Sequence, residues 1–314
     1  MKRIFRTGFA LLMLAAILVL APAAFAQDTT YGLSDSDFAL WSNANATSAA
    51  FSSLTLDFTT DVSVVGLDEG GDITVNLVGS SAIDTAGAFS LVVTGDINSG
   101  GQAMPVNFEA RLVGDMVYFN LGDGNGWMGG QAEDMMSGLG SSFAAGAGLP
   151  VDPAALAEGD LSGLMGNEDV MNAMMGLSAI DPSSFIAMTR SDADSLAQFN
   201  INFSISDLLQ DKAILGMLGG QLGGGAEMTD EELQQTGAML GMMFGQAVLS
   251  FDQYVDTSSN LVERSVLTIN LPLEMLGGGA GAGVNVVFDI DLTSYNQPVT
   301  VEAPAEFTEM PSGS

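Results

Sequence analysis

The sequence predicts an α+β fold, a long antiparallel β-sheet of about nine strands with helices against one face. Three observations carry this prediction. Apolar and polar residues alternate with period two in two separated blocks, residues 54–119 and 199–292. The turns inside each block are short and rich in Gly, Asp and Asn, the chemistry of hairpin connections. Between the blocks the pattern shifts toward helical spacing, in a middle crowded with Gly and Met. Residues 128–244 hold 13 of the 19 methionines.

The first 26 residues read as an export signal and stand apart from the fold. Lys2, Arg3 and Arg6 form a basic start, Phe9 to Leu20 is apolar, and Ala24-Phe25-Ala26 fits the small-x-small cleavage pattern. That run is shorter than the roughly 20 residues a membrane span needs, and no later stretch reaches such a length. The expectation is a secreted or periplasmic chain after cleavage near Ala26, with no integral membrane segment. Residues 27–314 carry no Pro- or Ser-rich linker and read as a single domain.

The mature part opens with a helix over about 35–50. Ser34 can cap it, Asp37 stands three residues on, and Leu33 with Phe38 can close a hydrophobic staple. Phe38, Trp41, Ala44 and Ser48 then share a face. The strands that follow are Leu54-Leu56-Phe58-Val62-Val64, then Ile73-Val75-Leu77, Phe89-Leu91-Val93 and Val106-Phe108-Ala110-Leu112. Met116 to Phe119 is apolar on both faces.

From about 129 to 190 the periodicity weakens. Asp152-Pro153 and Asp181-Pro182 read as helix starts, with Pro at the first helical position. A second helical part spans about 207–245, where Thr229 and Glu232 form a capping box. Between the two parts Phe199, Ile201, Phe203 and Ile205 mark a strand. The end is β again, through Leu249-Phe251-Val255, Leu261 to Leu271 and Val284-Val286-Phe288-Ile290-Leu292.

Composition excludes several function classes. All 38 acidic residues follow Ala26, so the mature chain sets only Arg111, Arg190, Lys212 and Arg264 against them. Such a field repels nucleic acid, and no nucleic-acid partner is expected. Cys and His are both absent. Disulfides, thiolate nucleophiles, the usual zinc ligands and His-dependent triads are therefore excluded. Asp123-Gly124-Asn125-Gly126 resembles the start of a calcium loop. However, the loop's sixth and twelfth positions fall on Met128 and Asp134, where Gly and Glu are needed. A hairpin turn explains it better. The carboxylate pairs Asp68-Glu69, Glu133-Asp134 and Glu168-Asp169 sit in turns and helix starts, where acids cap helices, rather than across a cleft. No catalytic residue, metal site or cofactor is expected, and the chain reads as non-enzymatic.

Two segments, GDMVYFNLGDGNGW (114–127) and YNQPVTVEAP (295–304), resemble those of the bacterial LolA-like and LppX/LprG-like lipoprotein-carrier superfamily, as does the order of elements. The resemblance implies a strongly curved sheet, a half-barrel, closed by helices over an apolar cavity that takes acyl chains. One departure is the absent cysteine at the cleavage site, which implies release rather than lipid anchoring. The lining residues expected are Trp41, Leu56, Phe58, Leu91, Phe108, Tyr118, Met171, Met175, Phe203, Met239 and Met243. Met is flexible and polarizable and suits either an adaptable site or a loose core. Two readings therefore stay open: an exported binding protein for a lipid or other apolar molecule, and an exported envelope module with a filled core that docks to a partner protein.

Overall fold

A computed structural model describes residues 30–66, 71–132, 182–193, 195–208, 210, 229–274, 279 and 281–310. The proposed signal segment lies outside these. Twelve strands form one sheet: β1 (Leu54–Val65), β2 (Ile73–Ile83), β3 (Phe89–Ser99), β4 (Gln102–Val113), β5 (Met116–Asn120), β6 (Met128–Gln131), β7 (Ile186–Ala193), β8 (Leu196–Phe203), β9 (Val248–Asp256), β10 (Leu261–Pro272), β11 (Gly283–Tyr295) and β12 (Thr308–Glu309). Their spatial order is β12-β6-β5-β4-β3-β2-β1-β11-β10-β9-β8-β7. All pairs are antiparallel except β12 with β6. The sheet is curved and open.

The expected nine strands are present, and three more accompany them. β7 falls inside the stretch read as helical. Its alternation through Ile186, Met188 and Arg190 is brief, and the described residues before it form a 3₁₀ turn, Pro182–Ser184. β6 has the sequence Met-Gly-Gly-Gln, which no strand propensity favours; its partners β5 and β12 hold it in place. β12 is two residues long. Neighbours rather than local sequence make these strands.

Three helices are described. α1 (Asp35–Ala49) starts where expected, with the Ser34 side chain accepting from the Asp37 N–H at 3.2 Å. α2 (Ile205–Leu208) is a single turn. α3 (Asp230–Phe244) has the predicted capping box, in which Thr229 Oγ1 accepts from the Glu232 N–H and Glu232 accepts from the Thr229 N–H at 2.8 Å. Only α1 contributes to the main core cluster among the described residues. It covers β10 and its neighbours, while α3 packs against α2. Among the described residues, one of the several helices expected over the sheet lies on it, and most of the helical stretches read at 129–190 and 207–245 lie outside the described residues.

That core contains Tyr31, Leu33, Trp41 and Ala44 from the helical side. From the sheet come Ile186, Met188, Ala197, Phe199, Ile201, Phe251, Val255, Val262 and Leu267. Ala44, Ala197, Phe199 and Val255 are fully buried. The staple pair joins it, with Leu33 buried and Phe38 packed alongside.

Both sheet edges are blunted, which matters because a bare edge templates aggregation. The Met188 N–H on β7 donates to the Tyr31 carbonyl at 2.8 Å. At the other edge the Thr308 N–H donates to Trp127 O at 2.8 Å and Met310 N–H to Gly129 O at 2.9 Å. Two glycines serve the tight coil of the β1–β3 region. At Gly79 a Cβ would stand 2.3 Å from the Phe58 ring and 2.5 Å from Val92 O. At Gly95, with φ +154, it would stand 2.0 Å from Asn76 O.

Candidate functional site

Strand register decides which side chains meet. A single cross-strand row runs Phe108, Val93, Gly79, Phe58, Ile290, Ser265, Gln253, Phe199, Arg190, from β4 to β7. A second joins Leu56 to Ser81, Leu91, Ala110 and Phe119. A third carries Phe203 to Leu249, Ile269, Val286 and Val62. Leu56, Phe58, Leu91, Phe108 and Phe203 thus share one apolar face. Trp41 stands over the same face on α1, 6% exposed.

Along this face burial is uneven. Under α1 the side chains of β7–β10 are closed off. On β2–β4 the same alternation leaves Leu77, Leu91, Val93 and Phe108 only half-buried. Phe58 marks the join: its ring lies over Gly79 and packs against Phe288 with centroids 5.8 Å apart.

The remaining expected residues fall elsewhere. Met171 and Met175 lie outside the described residues. Met239 and Met242 are on α3 and exposed, at 50% and 67%. Met243 belongs to α3, and its side chain is outside the described set. Tyr118 stands apart from these. It pairs with Arg111 while Phe119 pairs with Ala110, so Tyr118 occupies the opposite face from Phe108. The run Met116 to Phe119 is apolar on both sides, and its parity gave no guide.

On that opposite face Tyr118 holds the C-terminal segment, meeting Phe307 edge-on at 5.0 Å. Arg111 stacks over the Trp127 ring at 4.6 Å and donates to the Glu302 carbonyl at 3.0 Å. Arg111 thereby bridges Trp127 of one segment and Glu302 of the other. The Gly-rich turn is a hairpin connection, with Asp123 accepting from Asn125, whose bonds hold its carboxyl below the usual range.

The same polar face carries a depression of about 370 Å³ across β11, β1, β2 and β3, lined by Asp57, Thr59, Val78, Ser80, Val92 and Asp291 among others. Beside it Arg264 grips Asp289, which raises the guanidinium above its ordinary value. Among the described residues no three Asp or Glu side chains converge on a metal-sized space, and no helix is long and apolar enough to cross a membrane.

Polar groups in the layer between α1 and the sheet are mostly paired. Asn45 and Gln253 exchange two bonds, at 2.8 and 3.0 Å. Arg190 reaches from β7 to Asp37 at 2.5 Å, and the Ser34 hydroxyl, together with Arg190, keeps that carboxyl below its ordinary pKa. Trp41 differs, since its Nε1 is buried and has no hydrogen-bond partner among the described residues. Sequence reasoning had no signal for these pairings beyond the scarcity of basic residues.

The class that fold and site define is an open, curved antiparallel sheet with one apolar face partly roofed by a helix. No family model matches the chain, and no curated protein sequence matches it. Among solved structures it is similar to LprF from Mycobacterium bovis, at 15% identity and TM-score 0.36, covering 88% of this chain and 100% of that one. It is also similar to the lipoprotein LppX of Mycobacterium tuberculosis, at 12% identity and TM-score 0.31, covering 86% and 100%. Overlays this loose leave the functional argument to the chain's own residues.

Proposed function

We propose that this chain is an exported, non-enzymatic binding protein for an apolar molecule, a lipid or acyl chain, laid against the half-buried face of β1–β4. The observation that carries the reading is the contrast along one continuous face: sealed by α1 over β7–β10, half-open where Leu91 and Phe108 stand. An apolar surface of this kind gains free energy from a guest. Each methylene removed from water contributes about 0.8 kcal/mol before ordering costs. The sequence resemblance to lipoprotein carriers supports the same reading, and the missing cysteine supports release into solution. The expected lining is Leu56, Phe58, Leu91, Phe108 and Phe203.

The protein purified from its native host without detergent is expected to yield a stoichiometric lipid by mass spectrometry. After delipidation it is expected to take up diphenylhexatriene. A chain that carries no lipid and leaves the probe dark is a filled-core module, and the reading is then wrong.

A further inference from the structure

Native interiors leave few polar groups unpaired, and each exception asks for a reason. Four polar residues are buried among those described: Ser53, Thr60, Gln253 and Ser265. Two of them are paired. Ser53 Oγ donates to the Gln297 carbonyl at 2.7 Å, and Gln253 exchanges bonds with Asn45. The Thr60 and Ser265 hydroxyls bond no other described residue. Ser265 stands on β10, which α1 covers. Thr60 stands on β1, at the half-open end of the sheet.

Register places Thr60 on the apolar face. It pairs with Leu77 on β2 and Phe288 on β11, and it lies between Phe58 and Val62 along its own strand. The cross-strand row through it, from Val106 on β4 to Met188 on β7, is otherwise apolar. Phe58, Val62 and Leu77 around it are half-buried, so this is the part of the face to which the guest is assigned. Phe58, Leu77 and Phe288 all reach farther from the sheet than a threonine, which leaves the hydroxyl at the floor of the face. Thr60 is 6% exposed, yet its oxygen is not sealed, because among the described residues the sealed side-chain atom without a partner is Trp41 Nε1.

We propose that the Thr60 hydroxyl is the polar contact for the bound molecule, and that it meets an uncharged oxygen, in an acyl lipid the ester carbonyl. This deepens the apolar-ligand reading above and rests on it. Valine differs from threonine by a methyl in place of the hydroxyl and would fill the row without an unpaired group. A hydroxyl at that position gains only from a partner brought to it. Charge separates an ester from a free carboxylate, since a carboxylate taken out of water needs a cation beside it. Among the described cations, Arg264 and Arg111 lie on the opposite face with Asp289 and Glu109. Arg190 is at the far edge on β7, held by Asp37 at 2.5 Å and Asp192 at 2.9 Å. An ester carbonyl accepts the hydroxyl's hydrogen bond and brings no charge.

The test uses the exported full chain after delipidation, with ethyl laurate, dodecane and laurate at pH 8 titrated as competitors of diphenylhexatriene. Thr60→Val is expected to weaken ethyl laurate about tenfold, the size of one buried hydrogen bond, and dodecane by less than about twofold. Thr60→Ser keeps the hydroxyl and is expected to bind ethyl laurate within about threefold of the wild type. Ser265→Ala removes the hydroxyl beneath α1 and is expected to leave ester binding within about twofold. Laurate is expected to bind more weakly than its ester. Equal effects of Thr60→Val on ester and hydrocarbon overturn the assignment and leave the apolar-ligand reading standing. So does a Ser265→Ala loss as large as that of Thr60→Val, or laurate winning over the ester. A wild type that takes up neither diphenylhexatriene nor any competitor overturns that reading, and this assignment with it. If Thr60→Val fails to fold, the carbonyl stretch of ¹³C-labelled ethyl laurate bound to the wild type decides instead. It lies below its value in dodecane if the bond is made, and at that value if it is not.

Discussion

The two ends of the sheet are built from the same alternation and differ in what lies over it. On β8, Phe199 is fully buried beneath α1; on β4, Phe108 shares its cross-strand row and remains half-exposed. Strand sequence alone makes both faces equally apolar. Whether such a face becomes core or binding surface is set by a partner element, here the staple and cap that place α1 over β7–β10. The lesson is that a period-two pattern reports sidedness, and closure has to be read from what packs above.

The largest expected effect tests that contrast. Phe199→Ala should cost about 3–5 kcal/mol in urea unfolding, as for fully buried aromatics, whereas Phe108→Ala should cost about 1 kcal/mol and instead weaken diphenylhexatriene uptake. Similar stability losses at both sites would mean that the β4 end is core too. Next comes the coil of the half-open region. Gly95→Ala places a Cβ against backbone at a positive φ and should cost about 3 kcal/mol, seen as a lower melting temperature. A neutral result would show that the coil relaxes freely. The smallest effect concerns the clamp on α1. The Asp37 carboxyl is held below its ordinary value, so its contribution to stability is full above about pH 4 and fades as pH falls through the lowered folded value. Asp37→Asn should therefore flatten the acid limb of the melting curve by a small margin. An unchanged limb would remove the Arg190–Asp37 pair from the account of how the roof is held.

Much of this arrangement was legible in the chain. Long uninterrupted alternation, as in Val284 to Leu292, needs no context to be a strand, and caps such as Ser34 and Thr229 act locally. The misses share a physical cause. β6 and β12 depend on their neighbours, β6 on β5 and β12, and β12 on β6; Tyr118 sits in a run with no polar parity marker; and β7 alternates apolar residues only at Ile186 and Met188 before the polar run Thr189 to Asp192. Within the site, the shared face of Leu56, Phe58, Leu91, Phe108 and Phe203 followed from parity alone. The unpaired N–H of Trp41 did not, because satisfaction of a donor depends on everything that surrounds it.

The spatial order also dictates a schedule. β1 lies mid-sheet between β2 and β11, pairing Leu54 with Tyr295 and Val65 with Gly283. During synthesis the first meander can form early, yet one full flank of β1 stays bare until nearly the last strand is made. Contacts so distant along the chain make folding slow. Until β11 arrives, that bare flank of β1 is an open edge at which another copy of β11 can pair.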